Sequence, residues 1–257
     1  MTALLSIASG LAAGLLSGVF GIGGGIVLVP LLGLALGLGQ HEAQGITLAI
    51  LVLPLGLAAV LEYHRRGAVR WRLVLPLVGG FLAGVAAGSL AANAIPERPL
   101  RIVFAGFIVL AAARTAWSAF GPKPAAPPTE GSPGRTLGHA LWIGAVGGLA
   151  SGLLGIGGAV IMIPLMGPFL RLGQLEAQGT SLATMLPPIG LPGVWIYARA
   201  QGGLPWEIMA LVAAGFVVGA GLGARIAGRL RGRALTGAFL VFQLVVAALL
   251  VARALAA

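Results

Sequence analysis

Long apolar runs alternate with short polar segments along almost the whole chain. The first run extends from Ala3 to Phe20 and the second from Ile26 to Leu38, and neither contains a charged residue. A membrane-spanning helix needs about 20 residues, so the two runs together are too long for one span and each is short for a full span. The pattern therefore predicts two short helices, or a re-entrant pair, on either side of a glycine-rich break.

Later apolar runs predict longer helices. One helix should extend to about Leu61, with a kink at Pro54. Runs at 73–92 and 100–118 have the length of full spans, and the proline-rich segment 119–137 predicts an extended linker. The predicted organisation is a first membrane repeat (1–118), a linker (119–137) and a second membrane repeat (138–257).

Two copies of one sequence pattern are the basis of this division. The segment at 17–30 returns at 151–164, which is an offset of 134 residues. The polar segment at 40–45 returns at 174–179 with the same offset, and after one inserted residue the offset becomes 135. Because the match covers nearly all of both halves, it indicates a gene duplication.

The basic residues are distributed differently in the two copies. The first half has its basic loop at 62–72, whereas the second half has its basic loop at 225–233, which is not the equivalent position. Cytoplasmic loops carry the excess of Lys and Arg, so equivalent loops are predicted to lie on opposite sides of the membrane. The sequence therefore predicts two inverted repeats, with non-cytoplasmic loops at 93–99 and 198–207 and both termini non-cytoplasmic.

Composition narrows the class of protein further. Of the 257 residues, 58% are hydrophobic and 9% are charged, whereas soluble domains carry about 25% charged residues. The predicted fold class is an all-α, polytopic integral membrane protein with about eight to ten helical membrane segments. The net charge of +10 comes from loop arginines, so we expect no nucleic-acid partner, and with three histidines and no cysteine we expect no metal and no cofactor.

Two glycine clusters, Gly21–Gly25 and Gly155–Gly158, are the strongest candidates for a functional site. Glycines break helices, and hydrocarbon does not tolerate exposed backbone, so each cluster should face protein or a water-filled cavity. Close helix packing is the alternative explanation, but a duplicated helix break is typical of a transporter's binding site. Helices that restart near Gly25 and Ala159 would present free N–H groups at their N-termini. A helix N-terminus carries about +0.5 charge and binds oxyanions.

These considerations predict one small anion bound where the two helix starts meet. Polar side chains at the starts of the following helices could add hydrogen bonds, although capping and interhelical bonding explain them equally well. Glu42 and Glu176 are predicted mainly to complement the helix dipole, with proton coupling as the alternative. The predicted substrate-binding residues are Gly23, Gly24, Gly25, Gln44, Thr47, Gly157, Gly158, Ala159, Gln178, Thr180 and Ser181.

The duplicated motif resembles that of the sulfite exporter TauE/SafE family, also called the toluenesulfonate uptake permease family. This sequence departs from the motif at Ala159, where the first copy has a third glycine, and at Ile46-Thr47, where the second copy has Thr-Ser. The resemblance rests on Gly21–Gly25 and Pro30 with Ala43–Thr47, and on Gly155–Gly158 and Pro164 with Ala177–Ser181.

The resemblance implies a permease of the bacterial inner membrane for sulfite, an organosulfonate, sulfoacetate or thiosulfate, in either direction. We expect a secondary transporter, not an enzyme, with protons as a candidate coupling ion and the lipid bilayer as its environment; a homodimer is compatible with the sequence. An anion channel is the alternative. An intramembrane enzyme is disfavoured because the sequence offers no nucleophile–base pair and no metal cluster.

Overall fold

The computed structural model describes residues 1–20, 24–53, 56–120, 133–227 and 232–256. Over these residues the chain forms twelve helices and no strand. Helices suit the long apolar runs because a helix satisfies its backbone hydrogen bonds internally, as hydrocarbon requires. The predicted all-α fold class is confirmed.

The helices of the two halves correspond one to one. α2 and α8 begin at the equivalent residues Gly25 and Ala159, and α5 and α11 begin at Trp71 and Trp206. In the first half the helices are α1 (Thr2–Phe20), α2 (Gly25–Ala35), α3 (Gln40–Leu51), α4 (Leu57–Arg65), α5 (Trp71–Ala94) and α6 (Glu97–Phe120). In the second half they are α7 (Pro133–Leu154), α8 (Ala159–Leu170), α9 (Gln174–Thr184), α10 (Leu191–Ala200), α11 (Trp206–Ala227) and α12 (Gly232–Ala256).

The segment predicted as one kinked helix ending near Leu61 is instead two helices. α3 ends at Leu51 and α4 begins at Leu57, while Pro54 lies outside the described residues. The second half has the same division between α9 and α10, where Pro187 and Pro188 interrupt the chain. Proline lacks a backbone N–H and its ring obstructs the preceding turn, so consecutive helices separated by a turn replace one continuous helix.

The predicted linker at 119–137 is helical at both of its ends. α6 continues to Phe120, and α7 begins at Pro133, a residue that suits the first position of a helix. Residues 121–132 lie outside the described residues.

The described helices group into two compact units, and each unit takes helices from both halves of the sequence. One unit contains α1, α2, the start of α3, the end of α5, α6, α11 and α12. The other contains the rest of α3, α4, most of α5, and α7 to α10. We call them the first and the second unit. The division of the chain into repeats at 118 and 138 stays a prediction.

In the second unit, α5 and α7 lie side by side in parallel. A Cβ atom placed on Gly80, Gly84 or Gly88 would collide with the α7 backbone at successive turns that begin at Leu141 and end near Leu149. The contacts ascend in the same order along both helices, so the two helices run in the same direction. The glycines of α7 that meet the α5 backbone in the same way are Gly144, Gly148 and Gly152.

In the first unit, α1 and α11 make the equivalent parallel pair. Gly215, Gly219 and Gly223 of α11 each lie against the α1 backbone, from Ile7 to Leu15. Small residues let two membrane helices approach closely, which strengthens their dispersion contacts. Each unit is therefore built around one glycine-lined pair that joins a helix of the first half to a helix of the second.

Five helices of the described chain are long and apolar enough to cross a membrane. Several large apolar side chains on these helices point outward, including Leu75, which is 79% exposed, and Trp117, which is 72% exposed. An apolar outer surface of this kind suits contact with lipid. The candidate spans are Thr2–Val19, Trp71–Ala94, Glu97–Trp117, Thr136–Leu154 and Trp206–Gly223.

Candidate anion-binding site

Two short helices begin directly after a glycine inside apolar sequence. α2 begins at Gly25 after Gly24, which has a φ of 80°, and α8 begins at Ala159 shortly after Gly157, which has a φ of 72°. Positive φ favours glycine because it has no Cβ atom. Neither helix has a side-chain hydrogen bond that caps its start. The predicted helix restarts are confirmed, while Gly23 lies outside the described residues.

The two helix starts have the same backbone hydrogen bonds. In α2 the N–H groups of Val27 and Leu28 donate to the carbonyl of Gly24 at 3.0 and 2.8 Å. In α8 the equivalent two bonds end on the carbonyl of Gly158 at 3.1 and 2.9 Å. The N–H groups before these donors have no acceptor in their own helix. Each helix start therefore presents free backbone N–H donors and the positive end of a helix dipole. Both attract an anion.

A phenylalanine ring covers the glycine at each helix start. In the second unit the ring of Phe81 lies against Gly158, and in the first unit the ring of Phe216 lies against Gly24. The two rings are buried and occupy equivalent positions in the repeats. A Cβ atom on either glycine would collide with its ring. Close packing therefore requires glycine at both positions, and the ligand-binding role of these glycines stays a prediction.

Gly157 has more space around it than Gly158. A Cβ atom placed on Gly157 would lie 3.4 Å from Leu51 Cδ1 and 3.9 Å from Met185 Cε, which is ordinary contact. Both neighbours are apolar side chains. An anion at this point of the second unit would lose water on its apolar side and depend on backbone donors for compensation.

Three polar residues of α9 bind α4 and the loop that follows it. The hydroxyl oxygen of Thr180 accepts a hydrogen bond from the backbone N–H of Arg70 at 3.0 Å. The side-chain oxygen of Gln178 accepts one from the Tyr63 hydroxyl at 3.2 Å, and the Glu176 carboxylate pairs with the Arg70 guanidinium. For Gln178 and Thr180, these contacts are the interhelical bonding that the sequence left open as the alternative to ligand binding.

Glu176 also stabilises the start of its own helix. It lies in the first turn of α9, and its second carboxylate oxygen accepts a hydrogen bond from the backbone N–H of Gly173 at 3.2 Å. The side chain is 26% exposed. These contacts are those of a carboxylate that complements a helix start, and they leave its role in proton coupling a prediction.

Ser181 differs from its neighbours on α9. It is fully buried, and within the described part of the chain its hydroxyl makes no hydrogen bond. A buried polar atom without a partner is costly and needs an explanation. α9 packs against α8, so the second unit brings Ser181 and the helix start at Ala159 onto neighbouring helices.

The predicted residues of α3 are divided between the two units. Glu42 is half-buried in the first turn of α3, and Gln44 is fully buried; both belong to the first unit, together with Gly24 and Gly25. Thr47 is fully buried as well and belongs to the second unit. Glu42 lies in the first turn of α3, whereas Gln44 and Thr47 lie further along the helix and not at its start as predicted.

A comparison with protein families decides what kind of protein carries this site. The family described as "Sulfite exporter TauE/SafE" matches residues 6–250, which is almost the entire chain. The chain belongs to the TauE/SafE family. The resemblance in the glycine motifs is confirmed, and the protein is a multi-pass member of a family of membrane transporters.

Relatives of this TauE/SafE protein carry transporter names as well. "Probable membrane transporter protein MamO" of Paramagnetospirillum magneticum is 27% identical over 250 residues, covering 86% of this chain but only 39% of MamO. The chain therefore spans about two fifths of that relative. "Probable membrane transporter protein YdhB" of Bacillus subtilis is 29% identical over 214 residues, covering 82% of this chain and 85% of YdhB. No solved structure matches the chain at a significant level.

The structure of this TauE/SafE protein adds two residues that the sequence analysis did not identify. Gln243 on α12 is 1% exposed, and both polar atoms of its amide make no hydrogen bond to the described residues. Its equivalent in the first half is Ile108. A glutamine inside an apolar run, where the other repeat has an apolar residue, could therefore have been singled out from the sequence. Tyr197 is fully buried, and its hydroxyl donates to the carbonyl of Gly152 at 2.8 Å. It is the repeat equivalent of Tyr63, the only other tyrosine.

Proposed function

We propose that this protein is a secondary transporter that moves a small sulfur-containing anion across the bacterial inner membrane. The substrate class is sulfite, an organosulfonate, sulfoacetate or thiosulfate. Membership of the TauE/SafE family supports the proposal, as do the candidate membrane spans. The proposal goes beyond the family in naming the chemistry that holds the anion.

The observation that carries the proposal is the pair of uncapped helix starts at Gly25 and Ala159 in uncharged sequence. No Lys or Arg occurs from 3 to 38 or from 141 to 170. Backbone N–H groups and helix dipoles attract an oxyanion through partial charges. A permanent cation would hold the same anion more tightly and slow its release, whereas transport requires both binding and release.

Desolvation should select the charge of the substrate. Leu51 and Met185 border Gly157 with apolar atoms, so the bound anion exchanges water for a largely apolar surface. The cost of this exchange rises steeply with charge. A monoanion such as bisulfite or an organosulfonate should therefore bind in preference to sulfate.

Ser181 is the side chain that we assign to the substrate within the second unit. Its buried hydroxyl has no other partner among the described residues, and its helix packs against α8. The side-chain oxygens of Gln178 and Thr180 bind Tyr63 of α4 and Arg70 of the following loop, so we propose that they position α9. Gln44 and Thr47 stay candidates on α3, the equivalent helix of the first half.

Protons are the candidate coupling ion, and we propose that Glu42 and Glu176 mainly complement the starts of their helices. Proton carriage by one of the two carboxylates is the alternative. An intramembrane carboxylate is a candidate proton carrier, and Glu42 is half-buried at a helix start. An anion channel is the alternative function. It differs from a transporter because it cannot concentrate its substrate.

A binding measurement on the purified protein tests the site. Isothermal titration with sulfite, thiosulfate, sulfoacetate, taurine and sulfate should give saturable binding of at least one sulfur monoanion, with sulfate bound more weakly. Ser181→Ala should weaken binding by about ten-fold or more, because a hydrogen bond to a charged group contributes about 1.5–3 kcal/mol.

Ser6→Ala is the matched control for that measurement. Ser6 is also a fully buried serine, but its hydroxyl donates to the carbonyl of Thr2 in its own helix at 2.9 Å. It should leave the affinity unchanged. Equal affinities for Ser181→Ala and the unmodified protein would remove Ser181 from the site, and the absence of binding for every sulfur anion would contradict the proposed substrate class.

A further inference from the structure

A wide polar pocket opens at one end of the second unit, apart from the glycine helix starts. Its volume is about 650 Å³, which is within the range of small-molecule sites. Residues from the starts of α5, α7 and α9 and from the end of α8 surround it. Its polar and aromatic lining residues are Arg70, Trp71, Arg72, Thr136, Arg171 and Glu176.

The pocket carries a positive charge from three arginines. Arg70, Arg72 and Arg171 line it together with one acidic residue, Glu176. Glu176 pairs with Arg70 and offsets one of the three charges. Arg72 is exposed and forms no ion pair within the described residues. The surplus positive charge and the open volume favour an anionic ligand.

The wall formed by the α4–α5 loop is fixed in position. The Arg70 backbone is tied to Thr180 at 3.0 Å. The indole N–H of Trp71 donates to His64 Nδ1 at 3.1 Å, and the two rings meet edge to face. Arg70 and Arg72 therefore extend from an anchored segment, which reduces the entropy lost when they bind a ligand.

Comparison of the repeats indicates that the fold does not require these arginines. The equivalents of Arg70 and Arg72 are Pro205 and Glu207, so both cations are absent from the other copy. Other lining residues are shared: Trp71, Thr136 and Glu176 correspond to Trp206, Thr2 and Glu42. The arginines are therefore an addition to a repeated framework.

Arg171 provides the clearest case of such an addition. Its backbone has a φ of 56°, and it is the only residue other than glycine with positive φ among those that the structure describes. The equivalent residue is Gly37, with a φ of 69°. The left-handed region is unfavourable for any residue that has a Cβ atom. An arginine kept where the other repeat has glycine indicates a role for the side chain.

The position of the pocket places it at a membrane boundary. α5 and α7 run in parallel, and their candidate spans begin at Trp71 and Thr136, both of which line the pocket. Tryptophan is typical of the boundary between lipid and water. Leu73, Leu170 and Leu172 add apolar atoms to the lining beside the arginines. A ligand in the pocket thus meets both cations and apolar side chains.

We propose that this pocket binds a phosphate group at the membrane surface, held by Arg70, Arg72 and Arg171. Arginine pairs with phosphate oxygens through two parallel N–H donors, and basic pockets between membrane helices bind acidic lipid head groups. The apolar side chains of the lining favour a phosphate that belongs to an acidic phospholipid, and free inorganic phosphate shares the chemistry. The site is separate from the transported anion and does not depend on which substrate is moved.

Native mass spectrometry of the full-length protein tests the proposal. The protein is titrated in detergent with phosphatidylglycerol or with phosphatidylcholine, which also carries a phosphate but has no net charge. Phosphatidylglycerol should be retained in preference. Arg72→Gln and Arg171→Gly should each lower its retention by about five-fold, the value of one basic residue at an anionic surface. Arg171→Gly places in the second repeat the residue that the first repeat has at this position, so the fold should tolerate it.

Arg65→Gln is the matched control. Arg65 lies at the end of α4 in the same basic region and does not line the pocket, so its loss removes the same charge without touching the site. A second arm measures inorganic phosphate by isothermal titration. Retention of lipid that depends on Arg72 and Arg171 supports a lipid ligand, and phosphate binding with the same dependence supports a soluble one. Equal effects of all three substitutions, or binding of neither probe, would overturn the proposal.

Discussion

At the scale of single residues, Glu42 and Glu176 are equivalent in sequence but not in surroundings. Glu176 pairs with Arg70 and accepts a hydrogen bond from Gly173. Glu42 makes no ion pair with any described residue, and the equivalent of Arg70 is Pro205. The same carboxylate therefore makes an ion pair in one repeat that it does not make in the other.

Glu176→Gln should lower the melting temperature, because it weakens the Arg70 pair and the helix start together, at a cost of about 1 kcal/mol. Glu42→Gln should leave the melting temperature unchanged. Both variants should keep substantial anion uptake. Circular dichroism in detergent and uptake in proteoliposomes measure the two properties. Loss of proton-driven uptake with intact anion binding, in either variant, would assign that carboxylate to proton coupling.

Gln243 allows a prediction about stability. Its amide is buried without a hydrogen bond to the described residues, so Gln243→Leu should raise the free energy of unfolding by about 1 kcal/mol, or about 2–4 °C in melting temperature. The reciprocal change at the equivalent position, Ile108→Gln, should lower it. A lower melting temperature for Gln243→Leu would mean that the amide has a stabilising partner.

At the scale of helices, the two glycine-lined pairs determine how each unit is built. α5 packs on α7 through Gly80, Gly84 and Gly88, and α1 packs on α11 through the equivalent surfaces. Each pair joins one helix from each half. A duplicated sequence could in principle fold as two separate halves. Here each half depends on a helix of the other half for its close packing.

Gly84→Val should prevent α5 from approaching α7, because its Cβ atom would collide with the backbone near Ala145. We expect loss of a monodisperse peak in size-exclusion chromatography. Gly106→Val in α6 is the control, since a Cβ atom there meets nothing within 4 Å. A monodisperse Gly84→Val protein would contradict the close pairing of α5 and α7.

The sequence predicted the helix starts well and the helix partners poorly. Glycine clusters and a constant repeat offset fixed the starts at Gly25 and Ala159, because local chemistry determines where a helix breaks. The contacts of Gly158 with Phe81 and of Thr180 with Arg70 join residues far apart in sequence. Hydrophobic patterning does not encode such pairs, so the sequence could not separate packing from ligand binding at these positions.

At the scale of the whole molecule, the parallel pairs bear on membrane topology. α5 follows the basic loop at 62–72 and α7 follows the linker, and parallel packing requires both helices to begin on the same side. The arginine distribution predicts that side to be the cytoplasm. α1 and α11 also begin on a common side, which the inverted-repeat prediction places outside.

Cysteine labelling measures this topology directly, because the chain has no cysteine of its own. Arg66→Cys and Gln201→Cys place a thiol at an exposed position after α4 and after α10. An impermeant maleimide should label Gln201→Cys in intact cells and Arg66→Cys only after permeabilisation. Labelling of both variants in intact cells would contradict the inverted repeats.

Uptake of a ³⁵S-labelled anion into proteoliposomes tests the central claim, that this TauE/SafE protein is a secondary transporter of sulfur-containing anions. Purified protein is reconstituted and supplied with sulfite, thiosulfate or sulfoacetate under a pH gradient of either sign. We predict accumulation of at least one anion above its equilibrium level with one sign of the gradient, abolished by a protonophore and by excess unlabelled substrate. Flux that only equalises the concentrations whatever the pH gradient, or no flux of any sulfur anion, would contradict it.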